Sequence, residues 1–224
     1  MKSKILLILF YSTFLDPLSR QTTYPEFLNN YIDIAKKYPD SRYLITSLKK
    51  TISSYKSKRD ILSVFNQFSE NNKSSVWGME IQRYIYSKFS NDSLLSVSTS
   101  TLEPIIVDST KFNLIVIGAS WCKPCIEEIP ILKELYSSIN QQVDFTYITI
   151  DDADELTNWE SLLIKYGIPW RSLATVNYTD KFRTKYFISG IPKIIIVHPD
   201  ANWEFVDIRN SDEIMYLKQL LDVD

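Results

Sequence analysis

The sequence predicts an α/β domain preceded by an all-helical one, and three observations predict it. Apolar and aromatic residues recur at helical spacing across residues 24–90. From residue 93 onward, short apolar runs alternate with amphipathic stretches and finish in a hairpin and a helix, the order of a mixed sheet flanked by helices. Where one such run meets the next stretch stands Trp121-Cys122-Lys123-Pro124-Cys125, which holds both cysteines of the 224-residue chain. The organisation this implies is residues 1–21 as a signal peptide or N-terminal extension, 22–92 as the helical domain and 93–224 as the α/β domain.

Met1–Lys4 followed by Ile5–Phe10 has the basic start and short apolar run of a secretory leader. Ser12 and Thr13 interrupt the run and no small-x-small cleavage signal follows, so a first strand or helix packed on the body fits as well. The run falls short of the roughly 20 apolar residues of a membrane span, and no integral span is expected.

Pro25 sits where a first helical turn tolerates it, and Phe27, Tyr31 and Ile34 follow at helical spacing. Tyr38–Ser41 stops that pattern, and Ser41 is placed to cap a second helix carrying Leu44, Leu48 and Ile52. A third helix from about Lys58 carries Ile61, Phe65 and Phe68, Asn71–Ser75 breaks it, and a fourth carries Trp77, Ile81, Tyr84 and Ile85. Such stripes pack helices against one another. Lys49, Lys50, Lys56, Lys58 and Arg59 form a basic patch, read either as a solvated helix face or as a docking surface for an acidic partner.

Asn91–Ser93 and the hydroxyl-rich Ser96–Thr101 read as a linker, and Leu102–Val107 as an edge strand because of Pro104. Phe112–Gly118 lacks alternation and fits a strand buried on both faces. Ile126, Ile129, Leu132 and Leu135 then mark a helix, and Val143–Ile150 a strand. Asp151, Asp152, Asp154 and Glu155 lack the spacing and glycine of a calcium loop and read as acids at a helix N-terminus. Leu156–Tyr166 is helical and ends at Gly167. A short strand at Leu173–Val176, a helix at Thr179–Phe187, a strand at Lys193–Val197, a turn at His198–Asn202, a strand at Trp203–Ile208 and a Ser211-capped helix complete the chain.

A net charge of −2 and a pI near 5.6 argue against a nucleic-acid surface. The chemistry lies in the thiols. Cys122 falls at a helix N-terminus, where unpaired N–H groups and the helix dipole favour a thiolate, and Cys125 is near enough to resolve a mixed disulfide. Dithiol–disulfide exchange follows. As a structural staple the pair closes too short a loop to restrict the unfolded chain much. A zinc site would need carboxylates beside two Cys and the distant His198. Covalent haem would need His at position 126, which is Ile, and a cysteine protease would rest on His198 alone. No metal site is expected. Lys123 adds a positive charge near Cys122, or is simply exposed and screened, and Pro124 restricts the turn.

Ala119-Ser120-Trp121-Cys122-Lys123-Pro124-Cys125 resembles the active site of the thioredoxin superfamily. The continuation Ile126-Glu127-Glu128-Ile129-Pro130 is similar to its TlpA/ResA-like branch, and Ile188–Pro192 followed by Lys193–Val197 is a second family mark. The resemblance covers roughly residues 93–224. It implies a thioredoxin-like fold, a central mixed sheet flanked by helices, and an enzyme: a thiol–disulfide oxidoreductase acting as a reductant in the bacterial cell envelope. Its partners would be protein thiol or disulfide substrates and an upstream thiol donor, with no cofactor beyond the redox-active Cys122–Cys125 pair. Glu128 would move protons for the thiols. Trp121, Lys123, Pro124, Ile191 and a cis Pro192 facing Cys122 would bind substrate. Four departures stand out, one of them the turn after Lys193–Val197, which lacks its frequent Gly. Val116 replaces the buried Asp of many cytoplasmic relatives. Gly118 replaces a usual aromatic, which is expected to loosen packing behind the site. Lys193 replaces a frequent Thr. A binding module, with the helical domain recruiting a partner and the thiols acting as a redox gate, is the alternative from another class, and a dimeric disulfide isomerase is a variant within the enzyme class.

Overall fold

The computed structural model describes residues 23–222, so the readings of residues 1–21 lie outside the described residues. The chain divides into two compact units, one through Tyr86 and one from Ser87 onward.

In the first unit, helix α1 (Tyr24–Lys37) opens on a reciprocal capping box between Thr23 and Glu26, with Pro25 in its first turn. Helix α2 (Arg42–Lys50) is capped by Ser41, as the sequence suggests, and α3 (Lys58–Phe65) by Ser57. Phe27, Tyr31, Ile45, Leu48, Ile61, Ile81 and Tyr84 meet in the core. The Tyr31 hydroxyl, buried there, donates to the Leu44 carbonyl at 2.7 Å. The expected break at Asn71–Ser75 needs correction. It holds a short helix, α4 (Glu70–Lys73), before α5 (Val76–Tyr86). Ser69 caps α4, and the buried Asn72 donates its side-chain amide to the Pro39 carbonyl at 2.8 Å. Residues that compete with helical hydrogen bonds in an interior become helix starters when they stand at its edge.

The second unit is a seven-stranded sheet in the order β2-β1-β5-β4-β3-β6-β7. Its strands are β1 (Ser93–Ser96), β2 (Leu102–Pro104), β3 (Phe112–Gly118), β4 (Val143–Thr149), β5 (Arg171–Ala174), β6 (Lys193–Val197) and β7 (Trp203–Val206). Helices α6 (Lys123–Ile139) and α7 (Leu156–Tyr166) carry the chain across to make β3, β4 and β5 parallel neighbours. Helix α8 (Thr179–Lys185) leads back to β6, antiparallel to β3, and α9 (Ser211–Leu220) ends the fold. Strand β3 is buried almost throughout, as the apolar run Leu114–Ile117 and the lack of alternation suggest.

The reading of Asn91–Ser93 and Ser96–Thr101 as a linker is overturned. Ser93–Ser96 pairs with both β2 and β5, and the hydroxyl-rich run is the turn of a hairpin. The approach to β1 is fastened too. Phe89 stacks on Tyr186 at 4.8 Å, Asn91 exchanges two side-chain hydrogen bonds with the backbone of Ile106, and Asp92 pairs with Lys185 at 2.6 Å. Pro104 ends the outermost strand, where a missing N–H costs no ladder bond. The cap of α9 is Asn210, one residue before the expected Ser211, its side chain accepting from the Asp212 N–H.

The sheet is packed by Leu114, Val116, Leu132, Ile194, Ile196 and Leu217. Trp159 is fully buried, edge-on to Tyr147 at 4.7 Å, and its indole N–H donates to the Ser172 hydroxyl at 2.8 Å. Among the described residues no helix is long and apolar enough to cross a membrane.

Candidate active site

Strand β3 delivers the chain to one end of the sheet, and α6 leaves from there. Cys122 is the N-cap of α6, its Sγ accepting from the Cys125 N–H at 3.3 Å, and Pro124 lies in the first turn. Cys122 and Cys125 form a disulfide with their Cα atoms 5.2 Å apart. Both residues are buried, Cys122 retaining 5% of its surface and Cys125 1%. The place of Cys122 as the N-cap of α6 favours a thiolate once the pair is reduced.

The neighbours differ in what they offer. Trp121 is 59% exposed and borders a groove of about 370 Å³, with Ile126 and, from α7, Leu162 and Tyr166. Lys123 and Pro124 are exposed, and Lys123 lies 3.8 Å from Glu127 one turn on. An ion pair in that much water carries little energy. The Ile191–Pro192 bond is cis. Lys193 pairs with Ile117 across the β3–β6 ladder, which places Pro192 at the level of Gly118, where β3 hands over to the thiol turn. The sheet register therefore brings the thiol turn and Ile191–Pro192 to the same end of the sheet.

Glu128 follows Cys125 by three residues and so occupies the same face of α6. It is 4% exposed. Its Oε1 lies 3.1 Å from the Arg209 Nε, while its Oε2 is buried with no hydrogen-bond partner among the described residues. Burial pushes the carboxyl pKa up to about 7, against the pull of Arg209 and Lys193 and with a further push from Asp207.

Asp151 corrects the reading of residues 151–155 as helix N-terminal acids. It is fully buried and well before α7, which begins at Leu156. It accepts from the Ser120 N–H at 2.9 Å, from the Ser120 hydroxyl at 2.7 Å and from the Thr149 hydroxyl. The residue two before Cys122 is thereby tied to the end of β4. Removing the hydroxyl in Ser120→Ala leaves the buried carboxylate one donor short, and the variant is expected to lose about 2 kcal/mol of stability in urea denaturation.

Gly118 also differs from expectation. A Cβ there would lie 3.0 Å from the Tyr147 ring and 3.4 Å from the Cys125 Cβ. The space behind the disulfide is not loosened but filled by Tyr147 from β4. Burial pushes the Tyr147 phenol pKa well up, with Glu128 and Asp151 adding to it, so the group stays protonated.

The described residues hold no cluster of three or more His, Cys, Asp or Glu side chains that suits a metal ion. His198 lies in the β6–β7 turn, against Phe112 and 3.7 Å from Glu204.

Residues 110–203 match a family model described as thioredoxin-like. A curated thiol:disulfide interchange protein, CycY of Rhizobium leguminosarum bv. viciae, is 26% identical over 114 residues, a match spanning 50% of this chain and 59% of that protein. Among solved structures, the thioredoxin domain of a thiol-disulfide oxidoreductase from Bacteroides vulgatus is similar at a TM-score of 0.53 and 17% identity, over 60% of this chain and 96% of its own. A thiol-disulfide oxidoreductase from Bacteroides fragilis is similar at 0.51 and 22%, over 60% of this chain and 100% of its own.

Proposed function

We propose that the second unit, a thioredoxin-like domain over residues 110–203, works as a thiol–disulfide oxidoreductase that reduces protein disulfides. The observation that carries the reading is the asymmetry of the pair: Cys122 caps the helix and keeps the larger opening, while Cys125 is sealed one turn from a buried Glu128.

In the reduced protein the Cys122 thiolate attacks a client disulfide. A Cys122–client disulfide forms, the client's own S–S bond breaks, and one client thiolate leaves and takes a proton from water. Cys125 then gives its proton to Glu128 and attacks the Cys122 sulfur. The bond to the client breaks, its second thiolate leaves, and the client has gained two electrons. Trp121 and the Ile191–Pro192 backbone hold the client chain beside the pair, with Lys123 and Pro124 on the rim. The pair itself is the redox group, and an upstream thiol donor restores it. Action in the bacterial cell envelope is part of this reading and rests on the likeness of the Cys122–Pro130 stretch to TlpA/ResA-like proteins.

The test is insulin reduction by the full chain supplied with a small dithiol. Precipitation of the insulin B chain well above the rate with dithiol alone supports the reading, and a rate equal to that background overturns it.

A further inference from the structure

Glu128 is held by groups outside its own helix, and none of them belongs to the thiol turn. The loop after β7 supplies Arg209, whose Nε lies 3.1 Å from Glu128 Oε1 and donates to Asp207 Oδ1 at 3.0 Å. Asp207 also accepts from the Arg209 backbone N–H at 3.0 Å, and its own N–H donates to Glu213 at 2.6 Å. One guanidinium thus bridges two carboxylates, one buried and one half-exposed. Lys193 at the start of β6 and the phenol of Tyr147 on β4 are the other charged or titratable groups felt at Glu128. The outcome is a carboxyl group with one oxygen in ion-pair range of Arg209 and the other, Oε2, buried without a hydrogen-bond partner among the described residues.

A buried acceptor left unpaired is unfavourable unless a proton or a transient donor occupies it. We infer that Arg209, steadied by Asp207, is the positioning residue of Glu128: it fixes Oε1 and leaves Oε2 to take up and release the Cys125 proton. The inference rests on the proposed exchange chemistry. The electrostatics give it a signature that disturbed packing does not produce. Arg209 favours the charged form of Glu128, whereas Asp207 disfavours it and competes for the same guanidinium.

Arg209→Gln therefore raises the proton affinity of Glu128, and Asp207→Asn lowers it. In the full chain, the pH midpoint of the Glu128 carboxyl carbon, followed by NMR with labelled glutamate, is expected to rise by roughly one unit in Arg209→Gln and to fall by a similar amount in Asp207→Asn. Arg209→Lys should stay near the parent. The pH profile of mixed-disulfide resolution should move with the same signs. Midpoints that stay put, or that move in the same direction in both variants, overturn the inference. Should Arg209→Gln fail to fold, a fall of the midpoint in Asp207→Asn supports it and no fall overturns it. Because the carbon resonance is read without a client, opposite shifts in a protein that reduces nothing would uphold the positioning role while the exchange reading falls.

Discussion

Replacing Cys122 by serine is expected to bring insulin reduction down to the rate of the small dithiol alone. The reason is chemical before it is structural. A serine hydroxyl neither ionises at neutral pH nor forms a bond to sulfur that a second thiol can break. Everything that favours Cys122 over Cys125 is built into the turn. The N-terminal N–H groups of α6 are worth roughly 0.3–2 kcal/mol to an anion in this position, and each 1.36 kcal/mol is about one unit of thiol pKa. Cys122 also keeps the wider opening, next to the exposed Trp121. The fold should survive, because so short a loop contributes little as a crosslink. An unchanged circular dichroism spectrum in Cys122→Ser, alongside the loss of activity, is the outcome that separates chemistry from folding.

Glu128→Gln is expected to make the protein more stable at alkaline pH and slower in exchange. In the folded chain burial pushes the carboxyl pKa up to about 7, against 4.5 when it is solvated. Between those values the folded protein holds a proton that the unfolded chain has released. Stability therefore falls as pH rises through that interval, and the loss is complete above about 7. The interval corresponds to roughly 3 kcal/mol. A glutamine escapes it while still offering an oxygen to Arg209. Parent and variant should unfold alike near pH 4, and by pH 8 the urea midpoint of Glu128→Gln should correspond to roughly 3 kcal/mol more stability. The same change removes the base for Cys125, and the mixed disulfide should resolve about a hundredfold more slowly. A variant that loses stability at pH 8, or that resolves at the parental rate, contradicts the role given to Glu128.

The strand, thiol turn and helix were legible because their signals are local. An unbroken apolar run, two thiols and apolar residues one turn apart all lie within residues 112–139. Glu128 was legible through the resemblance of the Cys125–Pro130 stretch to the TlpA/ResA-like motif. What the sequence concealed depends on contacts between distant residues. Asp151 looked like one of several acids before a helix, and only the parallel pairing of β3 with β4 brings it to Ser120. Arg209 is 81 positions from Glu128 (209 − 128) and arrives through the β6–β7 hairpin. Gly118 suggested a gap because the residue that fills it, Tyr147, stands on the next strand. The β1–β2 hairpin was hidden for another reason. Its serines and threonines carry the composition of a linker, while its order comes from pairing with β5.

The central claim is that Cys122 forms a covalent bond to a client sulfur and Cys125 breaks it. Intact-mass and peptide-level mass spectrometry of Cys125→Ser, incubated with a disulfide-bonded protein, tests it most directly. The account predicts a one-to-one adduct that dithiothreitol releases and whose linkage maps to Cys122. No adduct, while the same client is bound non-covalently even by a chain lacking both thiols, would contradict it and leave a binding module in its place.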